Sequence, residues 1–322
     1  MRNSNILLLK GIRKIYGKAF GAHSLSKPES DQDPDSCAKI IFEVLSGDKP
    51  AMIARLGSTE MSCIANYLGV KDKKHFWGYI KGSSQPWWWE DSRIAQMQTW
   101  SGFFPPTVNK IEQFCELMLA DIGYIDVLGS WLPEEKYIES RLKNAKKIRF
   151  IYLDPFWSQQ PWTRALENKK VLVVHPFAET IQKQYNKRAL IFKDGLLPYF
   201  ELKTIKAVQS IAGNKTDFPD WFAALDYMKT EMDKVDYDIC LIGAGAYGLP
   251  LAAHVKRMGK KGFHIGGSLQ LLFGIRGKRW ENPEYASGAK LNYPALFNEH
   301  WVRAGDSEKP KNSEKVEDNC YW

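Results

Sequence analysis

No apolar run in this chain reaches the roughly 18 residues needed to span a bilayer as a helix. The N-terminal Ile6-Leu7-Leu8-Leu9 is too short for a signal-peptide core. Cysteine is scarce as well. Cys37, Cys63, Cys115, Cys240 and Cys320 are odd in number, and none forms a C-x-x-C pair. That excludes a disulfide framework and a zinc site, and points to free thiols in a reducing, cytoplasmic setting. No internal repeat stands out. No nucleic-acid motif accompanies the basic balance, so no nucleic-acid partner is expected.

The formal charge is +8 over 322 residues, which favours anionic partners such as phosphates or an acidic membrane face. Aromatics are plentiful: 12 Trp, 14 Tyr and 16 Phe. Such rings fill cores and also line pockets for ring-shaped ligands. Residues 1–34 read as a basic, amphipathic extension and linker. There Ile6, Leu7, Leu8, Leu9, Ile12, Ile15 and Tyr16 mix with Arg2, Lys10, Arg13, Lys14 and Lys18. The segment is either a helix docked on the domain, a frayed terminus, or a peripheral membrane contact. Residues 35–300 read as one α/β domain and 301–322 as a polar tail.

Within the domain, strand and helix alternate. Asp33-Pro34 starts a helix with a stripe of Cys37, Ile40, Ile41, Val44 and Leu45. A buried strand over 51–54 leads through Arg55-Leu56-Gly57-Ser58-Thr59 into a helix opened by Glu60. Residues 71–90 look irregular and end in Trp87-Trp88-Trp89, a possible stacking wall for a sugar ring. Helices are expected over 92–100, 108–120, 133–145, 161–167, 178–189 and 219–234. Strands are expected over 125–128, 148–153, 170–174 and 202–208. This alternation predicts a Rossmann-like, doubly wound, mostly parallel sheet with helices on both faces.

The segment from Tyr237 to Trp280 carries the densest signal. Strand 237–242 is followed by Gly243-Ala-Gly245-Ala-Tyr247-Gly248, a helix through Val255, and a strand at 263–265. Strand, Gly-rich turn and helix make a unit that can hold a phosphate. The turn matches G-x-G-x-x-G, yet the acid that a dinucleotide site wants about 20 residues on is missing. That position holds His264-Ile265-Gly266-Gly267, and basic Arg276, Lys278 and Arg279 follow. These cations suit a diphosphate better than NAD(P). The plainer alternative is a close-packed turn beside a solvated basic loop.

Ala54-Arg55-Leu56-Gly57-Ser58-Thr59-Glu60 resembles the Arg-aromatic-Gly-Asp-Gly-Glu signature of the GT-D-fold glycosyltransferases. The blocks Lys170 to Phe177, Gly243 to Gly248 and Gly267 to Trp280, with the ending Cys320-Tyr321-Trp322, look similar to a bacterial branch found among surface-polysaccharide genes. The resemblance implies transfer of a sugar from a nucleotide-sugar donor, UDP-sugar favoured, to a glycan or lipid-linked glycan. Taken together with the Gly-rich turn and the basic residues above, it leads to an expected donor site of Arg55, Gly57, Ser58, Thr59, Gly243, Gly245, Tyr247, Gly266, Gly267, Arg276, Lys278 and Arg279. Glu60 becomes base, orienting group or ligand of a divalent cation (Mn²⁺ or Mg²⁺). The family's second metal carboxylate corresponds to Ser58, which puts that cation in doubt. His175 after its strand is base, ligand or core histidine. Two rivals remain: an NAD(P)-dependent Rossmann oxidoreductase, and a non-catalytic nucleotide-binding protein of polysaccharide assembly.

Overall fold

The computed structural model describes residues 3–21, 23–72, 74–310, 314 and 320–322. Its strands are β1 (Ala51–Arg55), β2 (Val127–Ser130), β3 (Lys146–Arg149), β4 (Lys170–His175), β5 (Glu201–Lys206), β6 (Ile239–Ile242) and β7 (Lys261–His264). They form one sheet in the order β3-β2-β1-β7-β6-β4-β5, with every neighbouring pair parallel. The helices are α1 (Asn3–Phe20), α2 (Pro34–Ser46), α3 (Ser58–Lys71), α4 (Phe76–Lys81), α5 (Asp91–Ser101), α6 (Val108–Ile122), α7 (Ala178–Tyr185), α8 (Arg188–Ile191), α9 (Trp221–Asp233), α10 (Gly248–Arg257) and α11 (Lys278–Glu281).

Side chains alternate faces along a strand, so a sheet covered on both sides needs apolar residues at consecutive positions. On β4, Leu172 and Val174 enter one core, and Val171 and Val173 enter the other. On β6, Cys240 and Ile242 oppose Ile239 and Leu241 in the same way. The first core is closed by Met61 of α3, Phe114 of α6, Trp221 of α9 and Leu251 of α10. The second takes Ile41 of α2, Ile181 of α7, Trp162 and Phe273. The fold is therefore a doubly wound α/β sheet.

Local chemistry sets the helix ends. Asp33 caps α2 by accepting from the Ser36 N–H at 2.7 Å, and Pro34 occupies the first turn, where its missing N–H costs nothing. Asp220 caps α9 in the same manner.

Several expectations are corrected. The helix expected over 133–145 is a 3-10 turn, Pro133–Arg141. The Glu135 carboxylate accepts from the Trp131 and Leu132 N–H groups and the Ser130 hydroxyl, which fixes a tight turn at that helix start. The strand expected over 148–153 stops at Arg149, and Phe150 turns away to stack on Trp131. Residues 161–167 also form only a 3-10 turn, Trp162–Leu166. The irregular 71–90 stretch contains α4, against which α1 packs through Leu9, Tyr79, Ile80 and Trp88.

The tail expected to be solvated is so only in part: Asp306, Ser307, Lys309 and Glu314 are exposed, but other residues are anchored. Trp301, Glu308, Cys320 and Trp322 are buried. Glu308 accepts from the Glu179 N–H at 2.9 Å and from Thr180, so it caps the start of α7. Arg303 donates to the Trp322 carbonyl at 2.7 Å, while Trp301 and Trp322 add their rings to the second core. Arg2 of the basic N-terminal set and residues 311–313 and 315–319 of the tail lie outside the described residues.

Candidate functional site

The chain leaves β4 through α7 into the second core and leaves β6 through α10 into the first. β4 and β6 are neighbours, so their carboxyl ends part on opposite faces and open a crevice, the usual ligand position in such sheets. A cavity of about 540 Å³ lies there, lined by the ends of β1, β4, β6 and β7.

Most of the residues that the sequence singled out lie along this lining. Arg55, Gly57, Ser58, Thr59, Glu60, His175, Gly243, Gly245, Tyr247, Gly266, Gly267 and Arg279 all face the cavity. Arg276 and Lys278, expected on the donor, are not among the lining residues. Arg276 turns to Glu281 at 3.7 Å, and Lys278 is exposed at the start of α11. The wall of Trp87, Trp88 and Trp89 is likewise displaced. Trp87 and Trp88 pack with Tyr79 beside α1, and Trp89 packs toward Tyr67. Trp131 and Phe150 supply the aromatic wall instead.

Arg55 ends β1 with its guanidinium carbon 5.8 Å from the Trp131 ring centroid and 5.2 Å from that of Phe150. These rings stack at 5.3 Å and hold the guanidinium plane. Its Nε is buried without a hydrogen-bond partner, and no carboxylate lies within ion-pair reach among the described residues. Gly266 lets it sit there. The φ of 84° there is costly for any side chain, and an added Cβ would stand 3.0 Å from Arg55 Cδ.

Two buried histidines line the same cavity as opposite tautomers. The Phe177 N–H donates to His175 Nδ1 at 3.0 Å, so the neutral ring carries its proton on Nε2. His264 Nδ1 faces the Ile242 carbonyl at 3.4 Å, which can only accept, so its proton sits on Nδ1. Burial drives both down to about 3, and for His264 the Arg55 charge adds to the effect. At neutral pH His175 is therefore a neutral donor through Nε2 and not the base considered from the sequence.

Gly243 packs against that ring. A Cβ there would meet His175 Cδ2 at 2.4 Å and the Gly266 carbonyl at 2.9 Å. Gly243→Ala is expected to lose about 1–3 kcal/mol of stability through overpacking, measured as a lower urea midpoint at unchanged m-value.

Asp154, which the sequence offers both as a strand-end residue of the crevice and as a turn or cap residue, lines the cavity. Burial pushes its carboxyl up to about 6, opposed by the hydroxyls of Ser268 and Tyr293, each donating at 2.6 Å. Asp154-Pro155-Phe156-Trp157 after a strand was the available signal. Tyr293 comes from a distant segment and had none, and Tyr321 was marked only by the resemblance of the Cys320-Tyr321-Trp322 ending. Tyr321 lies against Gly267, and its hydroxyl accepts from Arg279 at 3.2 Å. The Arg279 backbone N–H donates to the Cys320 carbonyl at 3.0 Å, which ties the 320–322 segment to the site wall.

No family model, curated protein or solved structure matches this chain.

Glu60 stands in the first turn of α3 with its carboxylate folded over Gly57, where an added Cβ would fall 1.8 Å from Oε2. That places negative charge at a helix N-terminus, a favourable location. As donors for Mn²⁺ or Mg²⁺, Glu60 and the Ser58 hydroxyl give one carboxylate and one neutral oxygen. No group of three His, Cys, Asp or Glu converges among the described residues, so a divalent cation held here would take its remaining ligands from a diphosphate and water. What the crevice offers is one unpaired guanidinium, one neutral N–H donor, a basic carboxylate and aromatic walls. These groups can hold an anion beside a ring and accept a proton from a hydroxyl.

Proposed function

We propose that this chain is a glycosyltransferase that moves a sugar from a nucleoside-diphosphate donor to a hydroxyl of a glycan or lipid-linked glycan. The observation that carries this reading is Arg55: a cation set against the Trp131 and Phe150 rings in a crevice, with no carboxylate in ion-pair reach among the described residues. Holding such a charge unpaired is unfavourable unless an anion completes it. A diphosphate supplies that anion, and a base or sugar ring suits the aromatic wall. No Asp or Glu follows β7 to hold a ribose, which favours this reading over an NAD(P) oxidoreductase.

Arg55 holds the diphosphate, and His175 Nε2–H donates to one of its oxygens. The acceptor oxygen bonds to the anomeric carbon as that carbon's bond to the diphosphate oxygen breaks. The electron pair leaves with the diphosphate, whose developing charge Arg55 stabilises. The acceptor proton passes to Asp154, whose raised pKa suits a base near neutral pH. Glu60 orients the sugar or acceptor hydroxyls at the mouth.

Calorimetric titration with UDP, GDP, CMP and NAD in EDTA tests this. UDP or GDP is expected to bind at least about tenfold more tightly than NAD. Release of the nucleoside diphosphate from its sugar donor would then separate an enzyme from a binding protein. NAD binding alone would overturn the transferase reading, and diphosphate binding without turnover under any acceptor would leave the assembly protein in front.

A further inference from the structure

α1 is apolar on two sides. Ile6, Leu9 and Tyr16 face α4 and the small third core. Leu8, Ile12 and Ile15 recur at i, i+4 and i+7, the spacing of a single helix face, and they point away from the protein. They are 64%, 36% and 70% exposed, and Leu7 beside them is 70% exposed. Phe20 and Trp77 are exposed too, but they belong to the α4 side, where Phe20 packs on Tyr16 and Trp77 on Phe76. Lys10, Lys14 and Lys18 recur every four residues along one flank of this stripe. Lys10 pairs with Glu90 at 3.0 Å, whereas Lys14 and Lys18 have no ion-pair partner among the described residues.

We infer that the outer face of α1 docks on an anionic lipid surface. The chemistry is that of a helix lying in the membrane interface, with apolar side chains entering the acyl boundary and lysines meeting headgroup phosphates. No described helix is long and apolar enough to cross the membrane, so the contact is peripheral. A second copy of the chain is the less fitting occupant. Pairing two such narrow stripes would set the unpaired lysines of each copy beside those of the other, and like charges face to face disfavour association. Docking leaves the α4 side of α1 in place, because only the outer face is used. The inference stands independently of the transferase reading.

Co-sedimentation with vesicles of phosphatidylcholine alone, or with phosphatidylglycerol added, tests it on the full chain. The expected result is recovery on anionic vesicles at least about tenfold above neutral ones, falling with salt. Lys14→Glu with Lys18→Glu removes that preference. Leu8→Ser with Ile15→Ser removes binding to both vesicle types, with the urea midpoint unchanged because these side chains are exposed. Equal recovery on both vesicles, no recovery on either, or binding that survives both variants overturns the proposal. A concentration-dependent dimer in gel filtration that Leu8→Ser with Ile15→Ser disperses, without vesicle binding, would assign the face to a second copy instead.

Discussion

Arg55→Ala is expected to weaken nucleoside-diphosphate binding by about 3 kcal/mol, on the order of a hundredfold, with little change in folding stability. The two outcomes separate because of where the guanidinium sits. An ion-paired arginine would leave a stranded carboxylate when removed, but Arg55 has no acid partner among the described residues. Its Nε is already buried without a hydrogen bond, a desolvation cost that the alanine variant relieves. Against that stands the loss of stacking on Trp131 and Phe150, worth about 0.5–2 kcal/mol. These terms offset, so thermal unfolding should move little. Arg55→Lys should recover only part of the affinity, because an ammonium keeps the charge but not the planar fork or the stack. Calorimetry beside a thermal melt reads both quantities. Unchanged affinity for UDP and GDP, or an affinity loss that tracks unfolding, would sink the role given to Arg55.

Asp154→Asn should lower turnover by about 10²–10⁴, the range ascribed to a positioned general base. In the wild type, turnover should rise with pH through about 6 as the carboxyl ionises. The variant should lose that limb. Folding stability should respond in the opposite sense. Burial lifts the folded-state pKa from 3.8 to about 6, so the folded protein binds this proton more tightly than the unfolded chain does. The stabilisation from this group is fully present below pH 3.8 and is lost as pH rises through about 6, a change on the order of 3 kcal/mol. An asparagine carries no charge to desolvate, and the Ser268 and Tyr293 hydroxyls can each donate to it or accept from it. Asp154→Asn should therefore melt above wild type at about pH 8, with the gap closing toward about pH 4. A structural aspartate would show the stability effect without the loss of turnover. A melt that falls at every pH would contradict the buried, unpaired carboxylate altogether.

The sheet was legible because β4 and β6 are unbroken apolar runs and α2, α6, α9 and α10 carry stripes or caps that belong to one face. Clusters after the strands, at Arg55, Asp154, His175, Gly243 and His264, could be set together from that reading, since parallel strands must end on one side. What the sequence hid depends on partners far away along the chain. Asp154 looks like a cap until Tyr293 is found against it. The Trp87–Trp89 run looks like a sugar wall until α1 and α4 claim it. Arg276, two residues after Gly274, looks as available as Arg279 until Glu281 is seen to hold it. The 3-10 turn at Pro133–Arg141 reads as a helix because periodicity does not register how Glu135 binds three preceding polar groups.

The strand order has a consequence for how this protein is made. β7 is the last of the described strands along the chain and yet the middle one of the sheet, wedged between β1 and β6. While the chain emerges from the ribosome, β1 to β3 and β4 to β6 can assemble as two separate half-sheets. Each would then carry an open edge with unpaired N–H and C=O groups, a hazard for mispairing with other chains. Only when Lys261–His264 slides between them are the open edges of β1 and β6 paired and the crevice completed, with β3 and β5 left as the outer edges. A nascent chain stalled before that point would hold nearly all of the secondary structure and none of the assembled site, so it would depend on chaperones rather than on ligand for protection.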